Sequence, residues 1–146
     1  MYQNNRTLYG NQRIGEDTMK IWMNGCFDIL HYGHFRMIEY AASLGNKLVI
    51  GIDSDERIKK MKGTNRPYHN IYQRYFNLKS IKGVTDVYTF NSDEELTEMI
   101  RLYKPHIFVI GSDYKDKPII GGEFAKEIRY FDRIEEFSTT KILNYE

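Results

Sequence analysis

Two histidines, His31 and His34, stand three residues apart with Gly33 between them, directly after the run "MKIWMNGCFDIL". Histidines at this spacing can share one helix face, where three roles compete: metal ligand, ordinary helix-start residue, or donor to phosphate. A closed zinc site needs further ligands. Cys26 and Asp28 are near in sequence, but His69 and His106 belong to unrelated segments. Capping with no chemistry is the default for the stretch taken alone. The phosphate reading has its own physical basis, because a helix that starts here directs backbone N–H groups and the positive end of its dipole at an anion. Gly33 lacks a side chain and would let a phosphate approach the backbone closely.

Strands and helices must place this stretch. The runs "MKIWMN" (19–24), "KLVIGI" (47–52), "DVYTF" (86–90) and "HIFVIG" (106–111) are short, apolar and bounded by turn residues, as buried parallel strands are. "EIRYF" (127–131) reads as a fifth strand, with a helix continuing from Gly122 as the alternative. Between the first two runs Phe35, Ile38, Ala41, Ala42 and Leu44 recur at helical spacing, and Gly45 is a stop signal. Ser54 is placed to cap a helix carrying Ile58 and Met61, and Asn70 one whose buried face is Ile71, Tyr75, Leu78 and Ile81. Ser92 and Glu95 form a capping-box pattern ahead of Leu96, Met99, Ile100 and Tyr103, with Pro105 as terminator. Alternating strands and helices predict an α/β Rossmann-like domain, a parallel sheet of about five strands with helices on both faces. Ligands of such sheets bind beyond the carboxyl ends of the strands, and the histidine pair follows one of those ends.

The length of 146 residues predicts one domain, over 19–146, preceded by a polar arm or extension over 1–18. Hydrophobic residues at 41% and charged residues at 28% are globular proportions, and a net charge of +1 argues against a dedicated nucleic-acid binder. A single cysteine, Cys26, rules out an intrachain disulfide and fits a reducing compartment. No signal peptide or apolar run of membrane-spanning length is present, so a cytoplasmic protein is expected.

Three further segments bear on chemistry. "KKMKGTNRP" (59–67) is a basic, glycine-containing loop that would otherwise be a solvated surface. "FSTTKI" (137–142) opens a helical segment in which Ser138, Thr139 and Thr140 form a second phosphate cradle. Lys141 falls in its first turn, where the dipole disfavours a cation unless an anion is present. Asp113, in "GSDYKDKP" (111–118), is placed to order a loop, touch a ligand or help hold a metal, or else to make an Asx turn.

"GCFDILHYGH" resembles the G-x-F-D-x-x-H-x-G-H signature of the cytidylyltransferase-like nucleotidylyltransferase superfamily, matching at Gly25, Phe27, Asp28, His31, Gly33 and His34. The resemblance extends over most of 19–143. It implies that the six motif residues bind nucleotide and that both histidines act on phosphate. It also implies that Lys62 and Arg66 reach the triphosphate or the acceptor phosphate, and that Arg74 points towards phosphate rather than lying exposed on a helix. Ser138–Lys141 resemble the family's S-T-T-K element, with Asp113 and Arg133 among the nucleotide-binding positions. A homodimer and Mg²⁺ bridging phosphate oxygens are further implications.

The reaction so implied is nucleotidyl transfer. An acceptor phosphate attacks the α-phosphorus of a nucleoside triphosphate and pyrophosphate leaves, with catalysis by positioning and charge stabilisation. His31, His34, Lys62 and Lys141 are the catalytic candidates. "KGTNRP" and "GSDYKDKPIIGGE" resemble adenylyltransferase domains acting on heptose 1-phosphate, which favours ATP and a sugar phosphate. "DRIEEFSTTKI" resembles the ending of glycerol-3-phosphate cytidylyltransferases at Arg133 and Glu135, although Glu136 departs from it. CTP with glycerol 3-phosphate is therefore the alternative, and a non-catalytic nucleotide-binding module a third.

Overall fold

The three central strands of the main sheet carry consecutive buried apolar residues, because both of their faces are covered. The computed structural model describes residues 18–132 together with the short segments Thr7–Leu8 (β1) and Gly10–Asn11 (β2), which pair antiparallel. The remainder of the expected arm lies outside the described residues, as do Arg133 and Ser138–Lys141. The main sheet contains Lys20–Gly25 (β3), Lys47–Asp53 (β4), Asp86–Phe90 (β5), Ile107–Gly111 (β6) and Glu127–Phe131 (β7). Its order is β5-β4-β3-β6-β7, with all neighbours parallel.

Side chains alternate between two layers. Ile21, Met23, Leu48, Ile50, Ile52, Ile107 and Val109 pack with Ile38 and Ala41 of helix Tyr32–Ser43 (α1) and Leu78 of helix Ile71–Lys79 (α3). Trp22, Val49 and Phe108 face the other way, onto Leu96, Ile100 and Tyr103 of helix Asp93–Tyr103 (α4). The Tyr103 hydroxyl donates to the carbonyls of Ile21 or Lys47, each at 3.2 Å, which satisfies a polar tip inside this layer.

The capping residues anticipated from sequence do their work. The Ser54 hydroxyl accepts from the Arg57 N–H at 3.1 Å and starts helix Asp55–Lys62 (α2). Asn70 and Gln73 close a reciprocal box at the start of α3. Ser92 accepts from the Glu95 N–H, whereas the Glu95 carboxylate accepts from Asn91 rather than from Ser92, one residue upstream of the usual box. Asp93, Glu94 and Glu95 occupy the first turn of α4, where the dipole favours acids.

Three expected core residues are not in the core. Phe35 is 45% exposed, because the first turn of α1 starts past the strand ends and has no sheet beneath it. Tyr75 is 39% exposed, and Arg74 takes the buried position beside it. Met61, 53% exposed, lines a cavity instead of packing with Ile58.

One feature of the pairing positions the site. β3 pairs with β4 along its whole length, from Lys20↔Lys47 to Gly25↔Ile52. Against β6 it pairs only at Ile21↔Ile107 and Trp22↔Phe108. β3 and β6 therefore part before their carboxyl ends, and chain order reverses at this point, which opens a crevice.

Candidate functional site

A cavity of about 640 Å³ occupies that crevice. Its walls include Gly25, Phe27, Asp28, His31, Gly33, His34, Lys62, Arg66 and Asp113, nine of the residues singled out from sequence.

The two histidines build the start of α1. His31 is the N-cap, and its Nδ1 accepts from the Gly33 N–H at 3.1 Å. His34 Nδ1 accepts in return from the His31 N–H at 3.3 Å. A ring nitrogen that accepts carries no proton, so each neutral ring holds its proton on Nε2. The rings stack with centroids 3.9 Å apart, and Phe27 packs on His34 at 5.3 Å. Burial, then the neighbouring His31 and Lys62, push His34 down from 6.5 to about 4. His34 is thus a neutral N–H donor at physiological pH, not a cation.

Phe27 itself adopts φ 51°, a left-handed conformation uncommon outside glycine and a local strain held by packing. Gly25 makes room for it, since a Cβ there would stand 3.2 Å from the Phe27 ring. Asp28 is 2% exposed, and its carboxylate accepts from the Tyr68 and His69 N–H groups at 2.8 Å and from Arg66 Nε at 3.2 Å. The pair ties the α2–α3 loop to the motif, so Arg66 reaches the cavity already bound to a carboxylate. Lys62 ends α2 on the exposed rim. Asp113 sits in a 3-10 turn, Ser112–Tyr114, immediately after β6.

Arg74 departs from both expectations for it. It is fully buried, and it is absent from the cavity wall. Its guanidinium donates to the carbonyls of His69, Cys26 and Asp53 and to the Asp55 carboxylate, at 2.7–3.0 Å. The reason is topological: α3 packs under the ends of β3 and β4, whose last carbonyls need donors.

Sequence reasoning missed Asp53 and Arg57 and weighed Cys26 only as a metal ligand, yet all three line the cavity. Asp53 ends β4 beside the motif strand, so its position at a strand end was the available signal. Among the described residues, no group of three or more His, Cys, Asp or Glu is placed to hold a metal ion. Among the same residues, no helix is long and apolar enough to cross a membrane.

A histidine box at the end of the first strand of a parallel sheet, facing a crevice, is one part of a longer pattern. The cytidylyltransferase-like family model matches residues 22–144. The chain belongs to the cytidylyltransferase-like family. Membership makes it a nucleotidyltransferase by class. It is similar to the bifunctional protein HldE of a Nitratiruptor species, 42% identical over 123 residues, 84% of this chain and 26% of that protein. HldE of Campylobacter jejuni subsp. doylei is 41% identical over 128 residues, 88% of this chain and 28% of that one. HldE of Helicobacter hepaticus is 40% identical, covering 84% and 25%. The chain thus spans about a quarter of the length of these curated relatives. The crystal structure of a lipopolysaccharide core biosynthesis protein from Thermoplasma volcanium shares the fold, with a TM-score of 0.63 at 20% identity over 78% of this cytidylyltransferase-like chain and 97% of that one.

Proposed function

We propose that the chain transfers adenylate from ATP to heptose 1-phosphate, forming an ADP-sugar and pyrophosphate. The observation that carries the transfer chemistry is the reciprocal histidine box, which turns two Nε2–H donors into the cavity region at a helix N-terminus. A triphosphate placed there meets preorganised donors and the dipole, and Lys62 at the rim adds a positive charge. Neutral His34 keeps its Nε2 proton and holds charge developing on the phosphates by donating it in a hydrogen bond. The acceptor phosphate is already ionised near neutral pH, so no side chain is required as a general base.

Mg²⁺ fits this donor set. Asp113, an exposed carboxylate in the cavity wall just after β6, is the one that would contribute. Magnesium is held in such sites by one or two carboxylates, waters and the substrate phosphates. Bound, it would neutralise phosphate charge. The Ser138–Thr140 hydroxyls and Lys141 complete this reading as a second cradle.

The base and acceptor rest on the sequence likeness of "KGTNRP" and "GSDYKDKPIIGGE" and on the HldE relatives. A match to a quarter of a bifunctional protein is what the domain for one of two activities would give. We take the site to work in the cytoplasm, as a homodimer. The test is pyrophosphate release, crossing ATP and CTP with heptose 1-phosphate and glycerol 3-phosphate. Release with ATP and heptose 1-phosphate alone is expected; release only with CTP and glycerol 3-phosphate would transfer the assignment to the cytidylyltransferase alternative.

A further inference from the structure

A second set of polar groups lines the same cavity and has no part in the phosphate chemistry. Asp53 is 6% exposed at the end of β4, and Arg57 lies four residues on, in the first turn of α2. Arg57 Nε donates to Asp53 at 2.7 Å, one of its terminal nitrogens donates to Asp93 at 2.6 Å, and its guanidinium lies 5.4 Å from the Phe90 ring centroid. The other contact of the Asp53 carboxylate is the Cys26 thiol at 3.4 Å, a weak donor. Burial, then Asp53 itself, push that thiol up to about 11, so it stays a protonated donor.

We propose that Asp53 and Arg57 form a hydroxyl-reading subsite that takes a vicinal diol of a bound substrate and helps set specificity. This rests on the nucleotidyl-transfer reading for the identity of the substrates. An ionised carboxylate offers about four acceptor positions and a guanidinium five N–H donors, and the contacts above leave capacity on both. Each hydroxyl of a diol donates and accepts, so a fixed acceptor beside a fixed donor matches it. Charge within the ion-paired cluster disfavours phosphate: Asp53 and Asp93 against Arg57 leave an excess of one negative charge. The helix dipole and Lys62, by contrast, attract it. Charge thus sorts the substrates within one cavity, phosphates to the histidine box and hydroxylated carbons to the Asp53–Arg57 pair. Either the acceptor or the ribose of the nucleotide could supply the diol.

Calorimetric titration of the full chain distinguishes the sources. Wild type, Asp53→Asn and Arg57→Gln are each titrated with ATP, 2′-deoxy-ATP, 3′-deoxy-ATP, heptose 1-phosphate and its monodeoxy analogues. Either variant should weaken one substrate by about 10- to 100-fold, the loss of a charged hydrogen bond, and leave the other within about twofold. The effect should vanish for the deoxy analogue that lacks the hydroxyl being read. Loss confined to heptose 1-phosphate assigns the subsite to the acceptor, and loss confined to ATP assigns it to the ribose. Unchanged affinity for both substrates, or an equal loss for every analogue, overturns the proposal. If Asp53→Asn does not fold, Arg57→Gln decides alone. If the wild type instead uses CTP and glycerol 3-phosphate, the substrate reading has failed separately. The same comparison with those two ligands and their deoxy forms then decides the subsite.

Discussion

The motif histidines cap the helix they begin, and capping does not compete with a role on phosphate. It fixes the tautomer, because each Nδ1 is occupied by a backbone N–H and each Nε2 must then donate. Replacing His34 by Ala should slow turnover by about 10²–10³, the usual loss for one preorganised donor to transition-state charge. Steady-state kinetics with retained fold by circular dichroism would check this; near-wild-type turnover would reduce His34 to a cap. The same residue carries a pH signature. The unfolded chain protonates this ring near 6.5 and the folded chain only near about 4. Stability should therefore fall as pH drops from 6.5 towards 4, by at most about 3 kcal/mol from this group, and be insensitive to it above pH 7. Asn at position 34 keeps an acceptor for the His31 N–H but does not titrate. The gap between wild type and His34→Asn in denaturant midpoints should change across that interval; parallel curves would refute the depressed pKa.

At the scale of elements, Arg74 holds together what the site needs held. One buried guanidinium joins the ends of β3 and β4, the start of α2 and the residue before the α3 cap. Arg74→Met fills similar volume but leaves three carbonyls and a carboxylate without these donors. A loss of about 3–5 kcal/mol is expected, the range for removing one partner of a buried ion pair. Urea unfolding measures it, and a loss below about 1 kcal/mol would mean that water replaces the guanidinium. Arg74→Lys should not restore stability, since an ammonium cannot reach four acceptors in a plane.

For the whole molecule, the decisive feature is a sheet that splits between β3 and β6 while both faces stay packed. Gly51 contributes from within β4. A Cβ there would stand 2.7 Å from the Trp22 ring, whose Nε1 donates to Asn24 in the cavity wall at 2.7 Å. Gly51→Ala should cost about 1–3 kcal/mol by overpacking and disturb ligand affinity through Asn24. Thermal unfolding with and without ATP tests both effects, and an unchanged melting temperature would show that Trp22 yields freely.

By itself the sequence determined the architecture and singled out nine residues of the cavity wall. Strand runs, caps and the strand-to-helix motif are local patterns, set by side-chain period, hydrogen-bonding type and the glycine at position 33, so they are legible without knowing the fold. Only tertiary structure decided which polar residues line the cavity and which are held by other protein groups. Arg74, read as a phosphate ligand or a surface residue, is a buried pin. Asp28 of the motif is spent on the Arg66–His69 loop. Asp53 and Arg57 carry no motif at all, yet β4 and α2 bring them to the cavity. A charged residue's partners lie far away in sequence, here 21 residues for Arg74 and the Asp53 carbonyl and 36 for Arg57 and Asp93. Its role is therefore fixed by which strand ends become neighbours, and that is a property of the folded sheet.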